Sequence, residues 1–198
     1  MAQGWPFVGW CTVVLVVLVA ILFAVYGLTE HGLHIVIRST AQTSFVLFIS
    51  AFVASALAAT WPLPLTRWIL RNRRYLGVSF AVSHFFHLLA IFALLYSAAD
   101  FHLSASAAIG GGLAYVFILA MTLTSFDRTA AWIGPRAWQR LHTVGVYYIW
   151  GIFLFTYAPR AAQSVAYVPC VAVLMVAFAV RLWARRRPSA QRAMAAAR

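Results

Sequence analysis

The sequence predicts an all-α integral membrane protein, a six-transmembrane-helix bundle, and three observations carry that expectation. Of 198 residues, 64% are hydrophobic and 9% charged, where a soluble domain carries roughly 25% charge. The charged positions leave six free windows, at 1–29, 39–66, 75–99, 101–126, 141–159 and 161–180. Each is long enough for the roughly 20 apolar residues that cross a bilayer as a helix. The charge is also lopsided: fifteen arginines, no lysine and three acids give +12, with the arginines bunched at alternate window ends.

The spans so drawn are Pro6 to Gly27, Thr40 to Trp61, Tyr75 to Tyr96, Ala107 to Ser125, Trp138 to Tyr157 and Ser164 to Trp183. They form one domain, residues 1–184, followed by a basic tail at 185–198. Residues 1–29 have no basic n-region and an apolar run too long for a signal peptide, so they read as the first span. Trp61, Trp68, Trp138, Tyr157 and Trp183 fall near span ends, where amphipathic rings suit the headgroup layer. Gly110, Gly111 and Gly112 in span four allow close helix approach. Between spans four and five, TSFDRTAAWIGP reads as a short interfacial helix with Asp127 as its cap, stopped by Gly134 and restarted by Pro135.

Cys11 and Cys170 lie in apolar windows far apart. No CxxC or CxxCH motif accompanies them, so they read as buried packing residues.

Basic residues near span ends stay preferentially in the cytoplasm. The segment between spans two and three has four arginines, that between four and five has three, and the C-terminal end has six; only Arg38 and Arg160 lie on the opposite side. Both termini are therefore expected in the cytoplasm. The arginine excess reports topology and contact with anionic lipid, which leaves no nucleic-acid role to invoke.

Ionisable side chains inside a membrane are costly and read first as functional. His84 and His87 share a face of span three, and His142 lies one turn into span five. At 1.5 Å per residue, His84 and His87 lie about 15 and 20 Å beyond Arg74, and His142 about 9 Å beyond Arg136. Facing imidazoles of this kind can clamp a haem iron edge-on between two helices, with Gly77 and Gly145 leaving room nearby. Zinc would want further carboxylate or thiolate ligands, and the spans have none beside these histidines. A structural reading stands beside this one, because a membrane histidine can also serve only to hydrogen-bond a helix carbonyl. His31, His34 and His102 read as solvated residues of the outer loops. Arg73, Arg74 and Arg140, at the inner edge, are candidates to pair with haem carboxylates.

Residues 71–92, RNRRYLGVSFAVSHFFHLLAIF, and 124–150, TSFDRTAAWIGPRAWQRLHTVGVYYIW, resemble the ferric reductase-like transmembrane domain superfamily. Within it, the pattern is that of the haem-binding membrane subunits of bacterial periplasmic methionine sulfoxide reductase systems. The motif is Arg73-Arg74 with Leu76-Gly77 before a span-three histidine, then TS, an Ile-Gly pair and W-x-x-L-H ending in His142. The resemblance implies haem b held by His142 and by His87, the position at family spacing from the arginine pair, whereas depth alone favours His84. Relatives with two haems have a second histidine about four turns farther out on each helix; this chain has Ser97 and Phe155 there, which favours one haem. The family also implies single-electron transfer. No GxGxxG fingerprint is present, so electrons are expected from a quinol or a separate flavoprotein and are passed to an unidentified acceptor protein. A histidine-based transporter or proton channel, or a structural scaffold, are the competing classes; the first would normally have a broken helix or a carboxylate partner.

A reporter fused after Arg198 tests the topology. Cytoplasmic activity, such as fluorescence of a fused green fluorescent protein, is expected; strong periplasmic phosphatase activity from the full-length fusion would overturn the arginine-based orientation.

Overall fold

The computed structural model describes residues 3–98 and 101–186. Eight α-helices follow in order: α1 (Trp5–Tyr26), α2 (Glu30–Thr60), α3 (Pro64–Arg71), α4 (Arg73–Ser97), α5 (Ala105–Leu123), α6 (Asp127–Ile133), α7 (Pro135–Gln163) and α8 (Val168–Arg186), with a 3-10 turn at Val165–Tyr167. No strand occurs among the described residues. Six of these segments are long and apolar enough to cross a membrane. Helices suit that setting because each satisfies its backbone polar groups within itself, where lipid offers no partner.

All six spans expected from the sequence are present, but three boundaries move. Helix α2 begins at Glu30, ten residues before Thr40. Its 31 residues make it about 46 Å long, against roughly 30 Å of hydrocarbon. Thr29 caps it by accepting from Gly32 N at 3.1 Å, and Glu30 sits in the first turn, where the helix dipole favours an acid. His31 and His34 are therefore helical rather than loop residues, and His34 Nε2 lies 3.7 Å from Glu30 Oε1, one turn away. His102 does lie in irregular chain. Helix α7 continues past Tyr157 to Gln163, and Tyr157, expected in the headgroup layer, is buried among Phe45 and Phe153. Helix α8 runs through Arg186, so it takes in the first two residues of the expected tail; the remainder, from 187, lies outside the described residues.

Helix α3, unforeseen in the sequence, starts at Pro64, where a missing N–H costs nothing. It ends at Asn72, a buried residue that donates through Nδ2 to Trp68 O at 3.0 Å and accepts from Gly4 N at 3.1 Å through Oδ1. One side chain thus ties the start of α1 to the α3–α4 corner. Helix α6 matches the expected interfacial turn, and Gly134 (φ 78°) and Pro135 mark its end. Asp127 does not cap it. Its carboxylate instead accepts from Arg74 Nη1 at 2.7 Å.

The core runs down the middle of the bundle, where Phe45, Phe48 and Phe52 of α2 meet Phe80 of α4, Phe153 of α7 and Leu174 of α8. Ring centroids of Phe48 lie 5.5 Å from Phe80 and 5.3 Å from Phe153, a spacing at which aromatic pairs add to simple burial. Cys11 and Cys170 are half-buried free thiols rather than fully buried ones. Gly110 meets Ile152 of α7 in ordinary contact, while Gly111 and Gly112 face open space and bring no helix close.

Gly32 carries the tightest backbone approach. A Cβ there would clash with the Gly27 carbonyl oxygen in the α1–α2 turn. Gly32→Ala is expected to destabilise the protein by about 1–3 kcal/mol, whereas Gly111→Ala, which meets nothing within 4 Å, is expected to be neutral or slightly stabilising. Thermal unfolding of the two variants in the same detergent measures the contrast.

Candidate cofactor site

The polar residues inside the bundle fall on two levels. The inner level surrounds a cavity of about 370 Å³ bounded by α2, α3, α4, α5, α6 and α7, within the size range of small-molecule sites. Phe48, Phe52, Phe80, Ile118, Val146 and Ile149 give it apolar walls, and Arg71, Arg73 and Arg74 give it a cationic edge. His142 is the imidazole in its wall, and Gly77 opens onto it without a close neighbour.

His142 is held on two sides. Its ring stacks on Trp138 at 4.2 Å, one turn back along α7, and its Nε2 lies 3.1 Å from Thr124 Oγ1. The single Thr124 hydroxyl proton is directed to Ala120 O at 2.7 Å. Thr124 therefore accepts from His142, which places the imidazole proton on Nε2 and leaves Nδ1 with its lone pair. Trp138 Nε1 donates to Thr124 O at 2.9 Å and completes the clasp.

The outer level belongs to α4. His84 and His87 stack with centroids 5.1 Å apart. His87 Nδ1 lies 2.9 Å from Ile37 O and 3.3 Å from Thr40 Oγ1; Thr40 itself donates to Val36 O, so the His87 proton belongs on Nδ1, facing the Ile37 carbonyl. Nε2 then keeps the lone pair, the tautomer a metal-ligating histidine has when its other nitrogen donates to a carbonyl. His84 packs between Phe80 and Tyr115, and its Nδ1 is buried without a hydrogen-bond partner. Beside this pair, Ser44 donates to Ser83 at 2.9 Å and Ser83 donates to Thr40 O at 3.2 Å, stitching α2 to α4.

The two levels are well separated. His84 lies beside Tyr115 of α5 and Phe153 of α7, whereas His142 bonds Thr124, nine residues farther along the α5 direction, and lies eleven residues before Phe153. At 1.5 Å per residue these rulers give about 13 and 16 Å. The expected facing of His142 with His84 or His87 at one depth is thus not met: the structure brings His84 and His87 together and leaves His142 on its own level. The reason is register. Arg74 pairs with Asp127, three residues from Thr124, so His142 lies near the depth of Arg74 rather than well inside it.

Among the arginines singled out from the sequence, Arg73 and Arg74 line the cavity, and Arg74 Nε is buried without a partner. Arg140 does not line it; it is exposed on the outer side of α7, beside Ile133, Gly134 and Arg136. Arg71 takes its place on the cavity rim, and could have been read from its position one turn before Arg74. Gly145 makes no room for a ligand, because Met121 and Phe117 of α5 fill the space beside it. No group of three His, Cys, Asp or Glu side chains able to hold a bare metal ion occurs among the described residues. The chemistry the cavity can support is retention of an amphiphilic anion: apolar walls for its body and arginines for its carboxylates.

The α2–α4 stitch gives a directional test. Ser83→Ala leaves the Ser44 hydroxyl buried without its acceptor and is expected to cost about 1–3 kcal/mol. Ser44→Ala, which leaves Ser83 bonded to Thr40 O, should cost less, and the double variant less than the sum of the two. Unfolding free energies of the three variants in mixed micelles provide the comparison.

No protein-family model matches the chain, and comparison with curated proteins and with solved structures finds no match.

Proposed function

We propose that the protein is a membrane-embedded b-type haem electron-transfer subunit of the ferric reductase-like kind. It would pass single electrons from a quinol or a separate flavoprotein to a partner reductase or other acceptor across a bacterial inner membrane. The observation that carries this reading is the inner cavity, which combines apolar walls, His142 and an arginine rim. Those are the features a haem needs: a dry cleft, an axial imidazole and cationic partners for two carboxylates.

Bound haem supplies a one-electron iron couple, the chemistry that side chains lack. The residues of the chain do the rest. His142 presents an imidazole nitrogen from the wall, with Trp138 and Thr124 holding the ring. Arg71, Arg73 and Arg74 meet the carboxylates at the inner edge, Arg74 being steadied by Asp127. Phe48, Phe52, Phe80 and Ile149 keep water from the ring. His87 has the right tautomer for ligation but stands one level out. A haem held in the cavity would rely on His142 alone among the three histidines, in place of the two-helix clamp the sequence suggests. The arginine rim offers an acidic flavoprotein a docking surface, and the membrane setting gives a quinol access.

The purified protein is expected to show a Soret band that shifts on dithionite reduction. His142→Ala should lose it, whereas His84→Ala and His87→Ala should keep it. Loss in His87→Ala as well would restore the two-helix clamp, and an unaltered spectrum in the triple variant would end the haem reading. Reduction by a quinol analogue, or by a flavin reductase with NAD(P)H, is expected where NAD(P)H alone does nothing.

A further inference from the structure

A cluster of cations at the arginine-rich end of α8 has no ion-pair partner among the described residues. Arg181 is only 9% exposed, yet it lies in a segment able to span the membrane. Its guanidinium rests 4.3 Å from the Phe52 ring centroid and 5.1 Å from that of Tyr147, and donates to the Phe52 carbonyl. Arg185, one turn on and exposed, reaches the same Tyr147 ring at 5.5 Å. Ring faces and one carbonyl attract these charges without neutralising them. The chain has three acidic side chains. Glu30 stands at the opposite end of α2, Asp100 follows the opposite end of α4 in sequence, and Asp127 is taken by Arg74.

Two further observations say what is missing. Both arginines rest on the one Tyr147 ring, which holds their two charges side by side. Trp61 and Trp183, about half exposed, pack with ring centroids 5.9 Å apart, and Trp183 is two residues from Arg181. Exposed tryptophans of this kind mark the headgroup layer, which sets the cluster at the depth of lipid phosphates. Neither Arg181 nor Arg185 lines the inner cavity.

We propose that Arg181 and Arg185 bind the phosphate of one anionic phospholipid from the leaflet on the arginine-rich side. The two guanidinium groups, held on the Tyr147 ring, donate to phosphate oxygens. A zwitterionic headgroup would bring an ammonium beside two uncompensated arginines, so the lipid selected has net negative charge.

Native mass spectrometry of the full chain released from detergent, with phosphatidylglycerol, phosphatidylcholine or inorganic phosphate added, tests this. One retained phosphatidylglycerol is expected in clear preference to phosphatidylcholine, with the preference falling about fivefold in Arg185→Gln and further in Arg181→Gln/Arg185→Gln. Tyr147→Phe, which keeps the ring under both arginines, should leave retention unchanged. If loss of the Phe52 contact unfolds the Arg181 variant, Arg185→Gln still decides the matter. Equal retention of both lipids, or an unchanged preference in Arg185→Gln, would overturn the proposal. So would displacement of the lipid by equimolar inorganic phosphate, which would make this a free-anion site. Haem-loaded and haem-free protein should behave alike; a preference abolished by haem loading would assign the arginines to haem carboxylates instead.

Discussion

Close packing of α2 against α4 fixes the position of almost everything polar in this bundle. Lipid tails are as apolar as leucine, so helices in a membrane gain little by hiding apolar surface from one another and associate through close contact and hydrogen bonds. Here the contact is made by Thr40 and Ser44 on one helix and Ser79 and Ser83 on the other, each at most 2% exposed. Once that seam is set, Phe48 and Phe52 project toward Phe80 and α7 to build the aromatic core, and the Ile37 carbonyl comes within reach of His87. The cavity opens where the seam ends, beyond the last small residue on α4 and before the arginines.

The scarcity of acids shapes the inner end. In a chain with fifteen arginines and three carboxylates, ion pairing cannot settle where most arginines go. Arg74 has the Asp127 carboxylate, but that carboxylate is largely in solvent, where such a pair contributes little. Arg181 turns instead to the faces of Phe52 and Tyr147. The remaining cations line the cavity or point outward. An end assembled in this way holds positive potential in a setting of low dielectric, and anions with an apolar body are the natural ligands for it.

Much of the fold was legible in the sequence because charge interrupts hydropathy at nearly every span end. The same rule explains where the reading failed. Glu30 and Arg38 break the apolar window before span two, yet both are compatible with a helix that leaves the bilayer, so α2 reaches ten residues farther than hydropathy reports. Tyr157 looks like an interfacial ring, but α7 runs past it and buries it. Of the site, the identities of His142, Arg73 and Arg74 were legible, whereas their register was not. Depth counted from the nearest arginine assumes that both helices start at one level. The Arg74–Asp127 and His142–Thr124 contacts set α7 so that Arg136 starts farther out than Arg74, and only tertiary contacts carry that offset.

The two imidazole levels also differ in how their protons are held, which bears on what each can do. On α4 a backbone carbonyl, an acceptor that cannot donate, faces His87 Nδ1 and leaves Nε2 as the open lone pair. On α7 a threonine hydroxyl faces His142 Nε2, and it acts as an acceptor only because Ala120 O takes its proton. A hydroxyl can reverse its role by rotating, whereas a carbonyl cannot. His142 therefore keeps access to either nitrogen: when Thr124 turns its proton from Ala120 toward the ring, Nε2 becomes the acceptor and Nδ1 carries the hydrogen. His87 has no such freedom while α2 and α4 stay packed. The residue at the cavity is thus the one whose bonding can adjust to a ligand, and the residue against the helix seam is the one held rigid by the fold.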